Sequence, residues 1–255
     1  MTHDRRALET AGYAGRILLE NGAEIGRVQE TMIRILQAFQ VSEYNVYVIS
    51  NGIFATVNER REDALSLVRH VPLGSVNLSR IDAVNEVSRE ICAGTLDMDG
   101  AEQRLKEAER MLPESPLVQV LASGLGAAGF CYLFGGTLAE SVAAFPIGLL
   151  LWIYILKSEK RHSGFIQSIV GSLAVTLLSG LADLIPGVGF QAVVIGGIIP
   201  LVPGVTFSTS VREFFNGDYL SGLIHMVAAI LTAVCIALGV CGGVALLQWM
   251  GGAVA

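Results

Sequence analysis

The chain has 255 residues, 52% hydrophobic and 16% charged, with a net charge of −6. Residues 1–116 hold thirteen Lys/Arg and eighteen Asp/Glu, whereas residues 117–255 hold only nine charged residues in all. That split excludes a single soluble globule and a disordered chain, and the acidity of the first part excludes a nucleic-acid binder, because a phosphate backbone would be repelled.

The first twenty residues do not form a secretory signal, because Glu9, Arg16 and Glu20 interrupt any apolar core. The first long apolar run begins near Leu117, so residues 1–116 are expected to stay on the cytoplasmic side, where synthesis occurs. Cys92, Cys131, Cys235 and Cys241 show neither a CxxC pair nor the spacing of a secreted scaffold. They read as reduced and structural.

Leu8, Ala11, Gly12, Gly15, Leu18 and Leu19 follow helical spacing, with a stop at Asn21-Gly22. Ile25, Val28, Met32, Ile35, Leu36 and Phe39 make the stripe of a second helix. Two β-rich runs, 44–49 and 53–57, flank Ser50-Asn51-Gly52, and Asn-Gly there predicts a tight hairpin with positive φ at both central residues. Residues 64–71 add a third strand after a polar turn at 58–63. Ile81, Val84, Val87 and Ile91 mark a third helix. Asp99 and Glu102 read as a capping pair for a fourth, which carries Ala101, Leu105, Ala108 and Leu112 and stops at Pro113. The expectation is a small α+β domain with an antiparallel meander.

A spanning helix needs about 20 apolar residues. Five segments qualify, at about 117–134, 138–156, 165–184, 190–210 and 220–249, so the second domain is expected to be an all-α five-span transmembrane bundle. Short-loop Lys and Arg set orientation. Lys157, Lys160 and Arg161 follow the second span, Arg212 follows the fourth, and Arg104, Lys106 and Arg110 precede the first. The loops after the first and third spans carry none. The soluble domain is therefore expected inside and the C-terminus outside. Small residues such as Gly124, Gly126, Ala128, Gly171, Ser172, Ala229 and Ala233 favour close helix packing.

Gly124-Leu-Gly126-Ala-Ala-Gly129 matches GxGxxG but lies within an apolar span, with no strand before it, so helix packing is the better reading. Asp97-Met98-Asp99-Gly100 lacks the remaining ligands of a calcium loop and reads as a helix cap. No HExxH, GxSxG or phosphate-binding GxxxxGK[ST] occurs. No catalytic residue, metal site or cofactor is expected.

The most informative stretch is 196–210. Pro200 and Pro203 should break the fourth span about ten residues in, roughly 15 Å deep. Exposed backbone at that depth requires protein or water around it. A helix restarting near Gly204, with Thr206, Ser208 and Thr209 in its first turns, would aim free N–H groups at an anion. Discontinuous helices of this kind form substrate sites in secondary transporters. The alternative is a proline kink that only shapes packing. Glu140, Asp183 and His225 are ionisable groups within or at the edges of spans and are proton-coupling candidates, against the simpler reading that they reach interfacial water.

Four motifs then occur in a familiar order. They are Asn21-Gly-Ala-Glu24, Ser50-Asn51-Gly52-Ile-Phe-Ala-Thr56, Val76-Asn77-Leu78 and Pro200-Leu-Val-Pro203-Gly204. With the acidic soluble domain and five spans, they resemble the threonine/serine exporter family, specifically the larger subunit of its two-component, YjjP-like branch. The resemblance covers essentially the whole chain. It implies a multi-pass protein of the bacterial inner membrane that exports threonine and serine or, in that branch, succinate, driven by the proton gradient. It also implies a small five-span partner subunit, since single-chain members resemble this chain fused to a second five-span domain; a higher oligomer is compatible. The motif positions Asn21, Gly22, Glu24, Asn51, Gly52, Pro200, Pro203 and Gly204 carry over without assigned roles.

The leading expectation is thus one subunit of a secondary exporter for a small carboxylate metabolite. Its substrate would sit near Pro200, Pro203, Gly204, Thr206 and Ser208. The rivals are a membrane-embedded enzyme using Glu24, Asn51 and His70, and a metabolite sensor acting through the soluble domain.

Overall fold

The computed structural model describes residues 2–60, 64–72, 74, 76–158 and 161–251. The chain divides into two units, Met1–Pro113 and Glu114–Ala255. The division falls slightly before 116 because Ser115 already caps the next helix, its Oγ accepting from Val118 N at 3.4 Å, and Pro116 sits in the first turn.

The first unit runs α1 (His3–Glu20), α2 (Ile25–Ala38), β1 (Tyr44–Ile49), β2 (Gly52–Val57), β3 (Leu65–His70), α3 (Leu78–Cys92) and α4 (Met98–Arg110). The strands form one antiparallel sheet in the order β1-β2-β3. The apolar stripes of α1 and α2 bury Ile17, Leu18, Met32, Ile35 and Leu36 in one core with Ile53, Val84 and Leu105. Each such burial is worth about 1.5–3 kcal/mol. Helix α1 ends as expected: Gly22 takes φ +80°, which a Cβ would strain, and Asn21 Nδ2 donates to Ile17 O at 2.7 Å.

Two local expectations are corrected. The hairpin turn is Ser50-Asn51, not Asn51-Gly52, because Ile49 pairs with Gly52. Neither turn residue has a positive φ. Gly52 also pairs with His70, so the third strand draws it into the sheet. The cap of α4 is Asp97, whose Oδ1 accepts from Gly100 N at 2.9 Å. Asp99 and Glu102 instead face Arg6 of α1. The polar turn expected at 58–63 falls partly, at 61–63, outside the described residues, as does Lys160.

The second unit runs α5 (Pro116–Leu133), α6 (Leu138–Ser158), α7 (Gly164–Ala182), α8 (Phe190–Ile198), a 3-10 turn (Ile199–Leu201), α9 (Gly204–Phe215) and α10 (Tyr219–Trp249). Among the described residues, α5, α6, α7 and α10 are each long and apolar enough to cross a membrane. The pair Phe190–Leu201 and Gly204–Phe215, bent by 59°, makes a fifth crossing if it is one span.

Small residues set the contacts in this unit. Gly148 of α6 lies against Ala127 and Ser123 O of α5, and Gly196 of α8 lies against Cys131. Gly239 of α10 meets Ser172 and Ile169 O of α7. The GxGxxG run is only partly used: Gly124 faces Leu149 and Phe145 of α6, whereas Gly126 and Gly129 face open space. On α7, Ser168, Ser172, Thr176 and Ser179 each donate to the carbonyl four residues earlier, at 2.6–2.9 Å. These bonds satisfy hydroxyls that lipid could not. All four cysteines are free thiols.

Candidate functional site

The acidic candidates of the sequence meet at one place. Thr137 and Glu140 form a capping box at the start of α6: Thr137 N donates to Glu140 Oε2, and Glu140 N donates to Thr137 Oγ1 at 3.3 Å. The other carboxylate oxygen of Glu140, Oε1, accepts from Gly189 N at 2.9 Å, just ahead of α8. Asp183, which ends α7, accepts from the next amide, Phe190 N, also at 2.9 Å. Two carboxylates thus hold consecutive N–H groups where α8 begins. A helix start leaves such groups without intrahelical partners and carries a positive partial charge. A Cβ at Gly189 would lie 2.6 Å from Glu140 Oε1, so a larger residue there would displace the carboxylate from the amide. Glu140 is half-buried and Asp183 exposed. A proton on either carboxylate would weaken the grip on α8.

The break itself follows from its prolines. Helix α8 ends at Ile198, Pro200 sits in the 3-10 turn, and Val202 is extended, as a residue before proline prefers. Pro203 is the N-cap of α9 and offers no side-chain cap. The first bond of α9 to the carbonyl four residues back runs from Phe207 N to Pro203 O at 3.0 Å. The N–H groups of Val205 and Thr206 precede it and point out of the helix start. Pro200, Pro203 and Thr206 are half-buried, while Gly204 and Ser208 are exposed. The Ser208 hydroxyl donates to Val205 O at 3.0 Å.

His225 lies apart from Glu140 and Asp183. Its Nδ1 is 2.7 Å from Oε2 of Glu213 on α9. The sequence reading missed Glu213 because it ended the fourth span at 210, whereas α9 continues to Phe215. The signal was present: Thr206, Ser210 and Glu213 recur at four- and three-residue steps, a polar stripe on one helix face.

The motifs of the first unit converge too. Asn77 N donates to Asn21 O at 3.2 Å, and Val71 N donates to Asn51 O at 2.9 Å. A Cβ on Gly22 would meet Val76 at 2.9 Å. Three of the four motifs therefore pin one connection, from β3 to α3. Glu24 is the N-cap residue of α2, and its carbonyl accepts from Val28 N at 3.0 Å. His70 ends β3 and is exposed. Elsewhere in this unit, Glu109 of α4 accepts from Tyr13 and from Arg16, both on α1. Those donors hold the Glu109 carboxyl below the usual carboxylate range, the Tyr13 hydroxyl contributing most. Burial and then Glu109 push the Tyr13 phenol up to about 12. Among the described residues no group of three or more His, Cys, Asp or Glu is placed to hold a metal ion.

The family model for ThrE, described as "Putative threonine/serine exporter", matches residues 9–247. The chain belongs to that family, one of multi-pass membrane transporters. No curated protein and no solved structure matches it.

Proposed function

We propose that this chain is one subunit of a proton-coupled secondary exporter of small carboxylate metabolites, with threonine and serine as first candidates and succinate next. The observation that carries the reading is the broken α8–α9 pair within a unit of long apolar helices. We read this pair, bent by 59°, as one broken span and not as a re-entrant loop. The flanking charges agree. Lys157 lies in the last turn of α6, Arg161 follows that helix and Arg212 lies in the last turn of α9, while the connections after α5 and α7 carry no Lys or Arg. The first unit is then cytoplasmic, the C-terminus lies outside, and the membrane is the bacterial inner one.

In this scheme the substrate carboxylate meets the start of α9, near Pro200, Pro203, Gly204, Thr206 and Ser208. The open amides and the helix dipole favour an anion there. Asp183 and Glu140 exchange the coupling proton at the outer end of α8, and His225 serves the inner end. Protonation alters how tightly α8 is held, so it biases which face is open. The exposure of Gly204 and Ser208 in this chain suits a site that a second, five-span subunit completes.

The test is efflux from cells preloaded with labelled threonine, serine or succinate. The chain is expressed alone and with a small five-span member of the same family, with and without a protonophore. Efflux that needs both chains and collapses with the protonophore is expected. If both chains insert and none of the three leaves the cell, the reading fails for these substrates.

A further inference from the structure

The broken span carries acid groups at both ends. At one end Glu140 and Asp183 hold backbone amides at the start of α8. At the other end Glu213 is only 2% exposed, and its Oε2 lies 2.7 Å from His225 Nδ1. The His225 side chain is itself 16% exposed. The pair is set in a tight joint between α9 and α10. Beside it, the buried Ser210 hydroxyl donates to Gly222 O at 2.7 Å. Phe214 packs so closely on Gly222 that a Cβ there would lie 2.9 Å away.

At this distance Nδ1 and Oε2 are joined by a hydrogen bond, with Nδ1–H donating when the carboxylate is ionised. With one proton between them the pair carries one negative charge; with two it carries none. A net charge moved through a low-dielectric interior is costly, and an uncharged pair is far less so. Arg212 precedes Glu213 on α9, Asp218 caps α10 through Ser221 N at 3.2 Å, and Tyr219 opens α10. Helix α7, which also packs on α10, carries no titratable side chain.

The geometry points to Glu213 and His225 as the inner proton station of the exporter, a pair that takes up one coupling proton and thereby frees α9 to turn about the Pro200–Pro203 break. This rests on the exporter reading above and adds Glu213 to its machinery. One proton that enters from outside by way of Asp183 and Glu140 joins the pair in the outward-facing form, taking its charge from minus one to zero. It leaves to the cytoplasm in the inward-facing form, and the substrate moves the other way. The break lies about ten residues, roughly 15 Å, from each end of the pair of helices. A change at Glu213 is therefore transmitted through α9 to the substrate end.

The test uses whichever preparation exports in the experiment above, reconstituted in vesicles. Two rates are measured for wild type, Glu213→Gln and His225→Gln: net export driven by an imposed proton gradient, and substrate–substrate exchange with no gradient. The ratio of the first to the second should fall at least tenfold in both variants. A wild-type ratio in Glu213→Gln overturns the assignment. A second measurement covers variants that fail to insert. In the H3Q/H70Q/H162Q triple variant, His225 is the sole histidine, and its ¹⁵N signal in bilayers is followed from pH 5 to 9. A protonation step in that range, displaced in Glu213→Asp, supports the pair; a flat profile overturns it. A wild type that exports nothing, yet shows the step, removes the exporter reading and with it the transport role, while leaving the coupled pair in place.

Discussion

In the first unit the buried positions belong to large side chains such as Met32, Ile35 and Ile53, and the charged groups pair at the surface. In the second unit Gly148, Ser172, Thr176 and Ser179 are buried, while Leu125, Leu138 and Val142 face outward. The two arrangements answer to two solvents. Water drives large apolar groups inward. Lipid does not, so helices there meet through small residues and internal hydrogen bonds. The polar groups follow the same inversion. Arg16 and Glu109 pair across α1 and α4 with each side chain about a third exposed, at 28% and 39%. Glu213 and His225 pair inside.

The comparison is sharpened most by function. Asp183→Asn keeps an oxygen that can accept from Phe190 N, so the protein should still insert, but coupled export should be abolished. Glu109→Gln, in the other unit, should leave export within about twofold. Labelled efflux with and without a protonophore measures both, and normal coupled export in Asp183→Asn would remove that residue from the proton route.

Next come the packing differences. Ile35→Ala should cost about 2–5 kcal/mol, because it empties a sealed core. Leu125→Ala, at a side chain 65% exposed, should stay within about 0.5 kcal/mol. Pulse proteolysis of the full chain in detergent reads both, and equal costs would break the contrast between the units. Within the second unit, Gly239→Ala places a Cβ 2.0 Å from Ser172 Oγ and 2.3 Å from Ile169 O. It should cost about 1–3 kcal/mol or more, since a backbone oxygen cannot step aside. Gly126→Ala meets nothing within 4 Å and should be neutral or slightly stabilising.

The smallest effect is in the surface cluster of the first unit. The Glu109 carboxyl is held low by Tyr13 and Arg16, so the stability it adds is present above the ordinary carboxylate pKa. That stability is lost as pH falls through the lowered value. The Tyr13 phenol is raised to about 12, so its contribution is full below the ordinary phenol pKa and lost as pH climbs toward that value. Tyr13→Phe should flatten the alkaline limb of a stability–pH profile, and Glu109→Gln the acid limb. Unchanged limbs would show that the cluster adds nothing measurable, as many exposed pairs do.

Much of this was legible in the residues themselves. The stripes at Leu8–Leu19 and Ile25–Phe39, the β-rich runs and the apolar segments each reflect a period or a length, which are local properties. So is the break at Pro200 and Pro203, since a proline lacks its N–H wherever it sits. Positions decided by a distant neighbour were not legible. Asn51-Gly52 looked like the turn, but the register with His70 moved it one residue back. Asp99 looked like a cap, but Arg6, more than ninety residues earlier, faces it instead.

The sequence by itself determined two units in two solvents, the elements of each and the site of the helix break. All of these follow from composition, periodicity and proline chemistry along a short window of chain. Only the tertiary structure brought Glu140 and Asp183 to adjacent amides of α8, and Glu213 to His225. Those meetings depend on where separate helices pack, and a one-dimensional pattern carries no term for the distance between residues remote along the chain.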